Sequence, residues 1–229
     1  MKRALLVVLV IFTFGQDALA QSAYDTIKET TLSLRLATNE SFKMEVFDYR
    51  RKNRTVKTSF AGTLNLGVYD QIMLKSDKGD ELTLVATGDG FQSPATFLRR
   101  SGEMEMISTA NPAQTLPNVG LQFADIYDYI GSRKLLFGDY AYKDDPFPVE
   151  GCSWITSLSR IYVYYEIKDI KICDGVIKEV IITKGGMVIK RIEYSQVEKR
   201  DGWWRPTEIL IFEAFESEPI LRITIQHGG

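Results

Sequence analysis

The chain has 229 residues, of which 45% are hydrophobic and 25% are charged, and its formal net charge is −2. These proportions are typical of a globular protein, and the near balance of charge leaves no basic field that would attract nucleic acid or an anionic membrane. Binding to polyanions is therefore disfavoured, and any membrane contact is expected to be peripheral or transient.

The first twenty residues have the pattern of a secretory signal peptide. Lys2 and Arg3 precede an apolar run over residues 4–14, and the Ala-Leu-Ala sequence at 18–20 offers a cleavage site. The run is about eleven residues long, shorter than the roughly twenty that cross a bilayer as a helix, so a removed signal is favoured over a membrane anchor. We therefore predict cleavage after Ala20, export to the periplasm, and one mature domain over residues 21–229.

A short amphipathic helix is predicted directly after the signal, from Ser22 to Ala37. Ala23, Ile27 and Leu34 supply apolar positions at helical spacing. The threonines at residues 30 and 31 interrupt the pattern because threonine is a poor helix former.

From about Phe42 onward the dominant signal is an alternation of apolar and polar residues, typical of half-buried antiparallel strands. About eleven strands are predicted: Ser41–Tyr49, Arg54–Gly62, Asp70–Ser76, Glu81–Thr87, Ala95–Arg99, Glu103–Ser108, Arg160–Ile172, Val176–Lys184, Met187–Tyr194, Thr207–Phe215 and Ile220–Gln226. The clearest local signal is Gly185-Gly186 between two alternating runs, because a two-residue hairpin turn needs the positive φ that glycine adopts without strain.

A second short helix is predicted between the two groups of strands, from Asn118 to Leu136. Val119, Phe123, Ile126 and Ile130 recur there at helical spacing, after a proline and before a glycine-rich stretch. Such a helix is expected to lie on the sheet.

A sheet of about eleven strands twists and curls toward a barrel. The predicted fold is therefore α+β and mainly β: an open antiparallel half-barrel with helices covering its concave face. The apolar positions of the C-terminal strands would line the interior: Ile161, Val163, Tyr165, Ile167, Val180, Ile182, Val188, Ile192, Ile209, Ile211, Leu221, Ile223 and Ile225. Periodicity does not distinguish a solid core from a cavity, so both interpretations remain open.

The residue types that common catalytic sites need are scarce. His227 is the only histidine and lies close to the carboxyl end, where we expect fraying, so histidine-based triads and zinc sites have no basis. Asp139, Asp144, Asp145 and Glu150 cluster, but a glycosidase pair needs a fixed separation that sequence does not supply. We predict no catalytic residue, no metal site and no cofactor.

The two cysteines, Cys152 and Cys173, would reach a compartment in which disulfides persist. They can pair across about twenty residues if their Cα atoms approach within about 7 Å. Two free thiols are the alternative.

The segment IGSRKLLFGDYAYKDD, residues 130–145, resembles a motif of the LolA-like family of outer-membrane lipoprotein-sorting proteins. In that family a Gly-Ser-Asp-aromatic-Ser-Tyr-Glu-Asp string follows a short amphipathic segment, and GDYAYKD at 138–144 matches most of it. The chain lacks the serine after Gly138, and it has Ala141 and Lys143 where the family has Ser and Glu. The later sequence RDGWWRPTEILIFEA is similar to the family's pattern of an aromatic residue and a proline opening a strand.

The resemblance implies an unclosed LolA/LolB-like barrel that carries the acyl chains of a lipid or lipoprotein between membranes without catalysis. Our leading hypothesis is that the second helix and the loop at Gly138–Asp145 form a lid over the cavity, with candidate lid residues Phe123, Ile126, Ile130, Gly138, Asp139, Tyr140, Tyr142 and Asp144. The resemblance also suggests an inner-membrane transporter of the resistance-nodulation-division type as a partner. The alternative hypothesis is a solid-cored exported scaffold that binds a protein through sheet edges and exposed aromatics such as Trp203 and Trp204.

Overall fold

A computed structural model of the chain describes twelve segments of the backbone. These are residues 22–30, 40–50, 55–65, 69–77, 79, 81–87, 95–100, 103–107, 140–157, 166–200, 203–214 and 216–228. The predicted signal peptide, the predicted second helix, and the motif residues Gly138 and Asp139 lie outside these segments. No helix among the described residues is long and apolar enough to cross a membrane.

The described residues form one helix and thirteen strands. The helix, α1, covers residues 22–30. The strands are β1 Glu40–Asp48, β2 Val56–Asn65, β3 Tyr69–Ser76, β4 Glu81–Thr87, β5 Ala95–Arg100, β6 Glu103–Ile107, β7 Tyr140–Lys143, β8 Cys152–Ser157, β9 Glu166–Cys173, β10 Val176–Lys184, β11 Met187–Arg200, β12 Trp203–Glu213 and β13 Leu221–His227.

All thirteen strands belong to one antiparallel sheet with the order β6-β5-β4-β3-β2-β1-β13-β12-β11-β10-β9-β8-β7. The chain proceeds from β1 outward to one edge at β6, resumes at the opposite edge with β7, and returns inward until β13 pairs with β1. Among the described strands β6 and β7 do not pair with each other, so the sheet is not closed.

The predicted hairpin around Gly185-Gly186 is confirmed. β10 ends at Lys184, β11 begins at Met187, and both glycines have positive φ, 58° and 81°. This backbone gives the turn the twist that the flanking strands require.

The prediction of about eleven strands is too low, because the structure adds β7 and β8. β7 contains only four residues, and β8 reads CSWITS, in which small polar residues dilute the apolar alternation. Residues 140–143 were expected to be part of a loop, and they instead form the edge strand of the sheet.

The two faces of the sheet differ sharply in polarity. One face, which we call the inner face, is apolar: a continuous row of cross-strand neighbours joins β13 to β7 through Leu221, Ile211, Ile192, Val180, Ile170, Ile155 and Tyr142. All of these except Tyr142 are buried. This single-sided burial is what alternation along antiparallel strands produces.

The outer face carries ion pairs and cation–π contacts. Glu208 accepts hydrogen bonds from Ser195 and Arg222, and the Arg191 guanidinium lies 4.2 Å from the centroid of the Phe212 ring. The Ser195 hydroxyl is the first cause of a pKa of Glu208 below its ordinary value, and Arg222 adds to it. Burial raises the pKa of Glu179 on the same face.

Candidate functional site

The inner face is the candidate site because its central row is long, apolar and uncharged, and all of its side chains except Tyr142 are buried. Six steps between neighbouring strands separate Leu221 from Tyr142, which at about 4.8 Å a step corresponds to about 29 Å along the sheet. One leaflet of a bilayer has about 15 Å of hydrocarbon, half of the ~30 Å core. The row is therefore about twice as long as the hydrocarbon of one leaflet is thick.

Helix α1 packs on the inner face at the β7 edge. Ala23 and Ile27 are fully buried in the same apolar cluster as the inner-face side chains. The Tyr24 ring lies 6.5 Å from the Tyr140 ring, centroid to centroid. At 1.5 Å per residue the helix is about 14 Å long, so its length is about half that of the row.

A hydrogen bond joins α1 to the edge strand. The Thr26 hydroxyl donates its one proton to the Ser22 carbonyl, 3.0 Å away, so the Tyr142 hydroxyl, 2.8 Å away, must donate to the Thr26 oxygen. Both hydroxyls are in an exposed position. This contact is the polar rim of an otherwise apolar helix–sheet interface.

Most of the predicted lining residues come together on the inner face. Eight are buried there: Val180, Ile182, Ile192, Ile209, Ile211, Leu221, Ile223 and Ile225. Val188 is half-buried but pairs with Thr183 after a register shift, so it does not belong to the inner-face row. Ile161, Val163 and Tyr165 lie outside the described residues.

Ile167 does not join the inner face. It pairs with Thr183 and is 47% exposed, whereas Ile170 and Ile172 of the same strand are buried. The predicted alternation over residues 160–172 therefore had the wrong phase at its end. The phase was ambiguous because isoleucine occupies positions 167, 170 and 172, which cannot all share one face of a regular strand.

Three of the predicted lid residues are described. Tyr140 is buried beneath α1, Tyr142 is 43% exposed and bonded to Thr26, and Asp144 is exposed just beyond the end of β7. The other five, Phe123, Ile126, Ile130, Gly138 and Asp139, lie outside the described residues.

The N-terminal part of the inner face was missed by the prediction. Phe42, Met44 and Val46 of β1 are buried and pair with His227, Ile225 and Ile223. The strand itself was predicted, and its alternating pattern ESFKMEVFD indicates these three positions. Extending the lining to β1 would have needed the pairing of β1 with β13, which no local signal encodes.

A buried charged cluster closes one end of this face. Arg205 Nη1 lies 3.0 Å from Glu40 Oε1, and His227 Nδ1 lies 3.4 Å from the same oxygen. His227 Nε2 is also 2.8 Å from the Pro206 carbonyl. The expectation of a frayed histidine is therefore wrong: His227 is 5% exposed because β13 pairs with β1 up to that residue.

The two cysteines are bonded in the structure. Cys152 and Cys173 face each other across β8 and β9, and their sulfur atoms form a disulfide. The bond ties the base of the β7–β8 hairpin to the next strand.

Other candidate features carry less chemistry. A groove of about 580 Å³ is bordered mainly by outer-face residues such as Lys43, Ala61 and Met73, and also by buried Phe42 and Leu74. None of the predicted lining residues in the described part of the chain borders it. Within the described segments no three metal-ligating side chains come together. Trp204 is partly buried against the core, beneath the Lys199 ammonium.

Solved structures of other proteins share the fold of this chain. No family model and no curated protein matches the sequence. Three solved structures are similar over 92% of this chain and 92% of their own: a DUF1329 family protein from Desulfovibrio piger (13% identity, TM-score 0.73), a putative outer membrane lipoprotein-sorting protein domain from Vibrio parahaemolyticus (10%, 0.71) and a LolA superfamily protein from Nitrosomonas europaea (11%, 0.60).

The chain has a LolA-like fold. At these identities the similarity concerns the fold alone, and it extends over nearly the whole of this chain and of each neighbour.

Proposed function

We propose that this protein is a non-enzymatic periplasmic carrier that binds the acyl chains of a lipid or lipoprotein against the inner face and transfers them between membranes. The observation that carries the proposal is the row from Leu221 to Tyr142, which crosses seven strands and is aliphatic except for that tyrosine. The fold supports it, because one structural neighbour is described as a lipoprotein-sorting domain and another as a LolA superfamily protein.

The energetics of carriage need only an apolar surface shielded from water. Each methylene removed from water contributes about 0.8 kcal/mol, so a chain of ordinary length gains enough from burial without any catalytic group. An uncharged central row suits this task because an unpaired charge there would have to be desolvated each time a chain enters.

Helix α1 would act as a movable cover over the inner face at the β7 edge. The contact between them has an apolar part, Ala23 and Ile27, and a polar rim, Thr26 to Tyr142. Exposed hydrogen bonds contribute little net free energy because water replaces them readily. Opening at this edge would therefore cost less than separating two paired strands.

The first experiment asks whether acyl chains bind. Protein purified from its own host is examined by native mass spectrometry, and a fluorescent fatty acid is titrated into delipidated protein. We expect co-purifying lipid and saturable binding. A clean apoprotein that binds no fatty acid would contradict the carrier and favour a solid-cored scaffold.

The second experiment tests the cover. Tyr142→Phe removes the hydroxyl that bonds to Thr26, and faster release of the fluorescent fatty acid is expected. Tyr24→Phe is the matched control, since it removes a tyrosine hydroxyl from the same helix–strand contact and leaves the Thr26 bond in place. Equal release rates in the two variants would show that the bond between Tyr142 and Thr26 does not control release.

A further partner belongs to the same proposal. An inner-membrane transporter of the resistance-nodulation-division type would load or unload the carrier, while the carrier touches the membrane only transiently. A transporter that co-purifies with the carrier after crosslinking in the host would support this partner. Efficient delivery of lipid by the carrier to protein-free vesicles would contradict it.

A further inference from the structure

The β7–β8 hairpin ends in an exposed apolar tip, which we define as residues 144–150, DDPFPVE. Phe147 is 83% exposed and Val149 is 52% exposed, and the two flanking prolines are exposed as well. Four consecutive apolar residues at the surface are unusual, because single exposed apolar side chains are common but contiguous patches mark interaction sites.

Local contacts restrain the backbone of the tip. The Phe147 amide donates to Asp145 Oδ1 at 2.9 Å, and the Cys152 amide donates to the Val149 carbonyl at 3.0 Å. Pro146 and Pro148 restrict the backbone on both sides of the phenylalanine. An exposed aromatic side chain on a rigid loop loses little conformational entropy on binding.

The base of the tip is braced to the neighbouring hairpin. The disulfide between Cys152 and Cys173 joins β8 to β9 directly below the tip. The Asp174 amide donates to the Gly151 carbonyl at 2.9 Å, and Gly151 has a φ of 75°, which a residue with a side chain would adopt only with strain.

The ionisable side chains of the tip itself are all acidic. Asp144, Asp145 and Glu150 are the ionisable residues of the tip, and Asp174 lies beside its base. The nearest basic residue along the chain, Lys143, forms an ion pair with Asp169. An anionic rim disfavours insertion into an anionic membrane and favours a partner surface that carries lysine or arginine.

We propose that this tip is a docking point for a protein partner that accepts Phe147 in an apolar pocket with a rim of basic residues. The acidic rim steers the partner, and the phenylalanine supplies the anchor, as buried aromatic residues do at interface hot spots. The surface is distinct from the inner face, so the inference does not depend on acyl-chain binding.

The test compares two equally prominent apolar residues. A photo-crosslinking phenylalanine derivative is placed at Phe147 or, as the control, at Met187, which is 71% exposed at the Gly185-Gly186 turn. After irradiation in the cells of origin, we expect one discrete protein adduct from position 147 and none from position 187. Adducts of equal yield from both positions, or none from position 147, would overturn the proposal.

The adduct partner is then purified and titrated with the full chain. Phe147→Ser should weaken binding by at least about tenfold, and the triple variant Asp144→Asn, Asp145→Asn, Glu150→Gln should weaken it less and reduce its dependence on salt. Met187→Ser should leave the affinity unchanged. Binding that is insensitive to Phe147→Ser would refute the docking role.

A vesicle-binding experiment tests whether lipid, rather than a protein, occupies the tip. Vesicles of phosphatidylethanolamine and phosphatidylglycerol are sedimented with wild-type protein and with Phe147→Ser. We expect no difference between the two proteins. Vesicle binding that is lost in Phe147→Ser would assign the tip to lipid and overturn the protein partner.

Discussion

The inner and outer faces are made by alternate residues of the same strands, yet different interactions stabilise them. Ile209 on the inner face is fully buried among aliphatic side chains, while Leu210, its neighbour on the outer face, lies between Glu193 and Arg222. The inner face contributes to stability through close packing, in which the volume of each side chain matters. The outer face contributes through exposed ion pairs, each of which adds little. Alternate residues of one strand can therefore build a packed apolar face and a charged, solvated face at the same time.

The largest effect is expected where charge enters the inner face. Arg205→Met leaves the Glu40 carboxylate buried without its cation and should lower the free energy of unfolding by about 3–5 kcal/mol. The matched control is Lys75→Met, which breaks the exposed Lys75–Glu81 pair and should cost less than about 1 kcal/mol. Urea denaturation measures both.

The double variant Arg205→Met, Glu40→Gln sharpens this first prediction. It removes both charges, so it should recover part of the loss seen in the single variant. Equal losses from Arg205→Met and Lys75→Met would mean that burial of the pair has no energetic consequence.

The second prediction compares neighbouring residues on opposite faces. Ile209→Ala should lower the free energy of unfolding by about 2–5 kcal/mol because it leaves a cavity in packed surroundings. Leu210→Ala is expected to cost about 1 kcal/mol, since that side chain is only partly removed from water. Thermal and urea unfolding of both variants provide the measurement, and a larger loss for Leu210→Ala would contradict the assignment of the faces.

The third prediction concerns the covalent tie between β8 and β9. Replacing both cysteines by alanine should cost about 3 kcal/mol, because the bond closes a loop of 21 residues in sequence separation. Thiol titration of the native protein should find no reactive cysteine until the disulfide is reduced. Full reactivity before reduction would contradict the bond.

The sequence predicted those parts of the fold that local physics determines. Val176–Lys184 and the Gly185-Gly186 turn were predicted to the residue, because alternation and a two-glycine turn act over a few positions. β7 and β8 were missed because they are short and their strand conformation depends on pairing, of β8 with β9 and of β7 with β8. Most inner-face residues followed from the alternation. The cluster of Arg205, Glu40 and His227 did not, because its members lie far apart in the sequence and meet only through the pairing of β1 with β13.

The smallest predicted effect is a pH dependence confined to the outer face. Ser195 and Arg222 hold the pKa of Glu208 below its ordinary value of 4.5. A carboxyl group with a lowered folded-state pKa stabilises the protein above its unfolded value, and this contribution disappears as the pH falls through the folded value. Glu208→Gln should therefore cost up to about 1 kcal/mol at pH 7, and the difference from wild type should shrink below pH 4.5.

Glu179 is the matched contrast on the same face, because burial raises its pKa. A raised folded-state pKa means that the ionised form is disfavoured in the native protein, so the penalty appears as the pH rises through the unfolded value and is complete above the folded one. Glu179→Gln should then be neutral or stabilising at pH 7, opposite in sign to Glu208→Gln. Urea unfolding of both variants from pH 3 to pH 7 separates the two cases, and parallel curves would show that neither carboxyl group is coupled to folding.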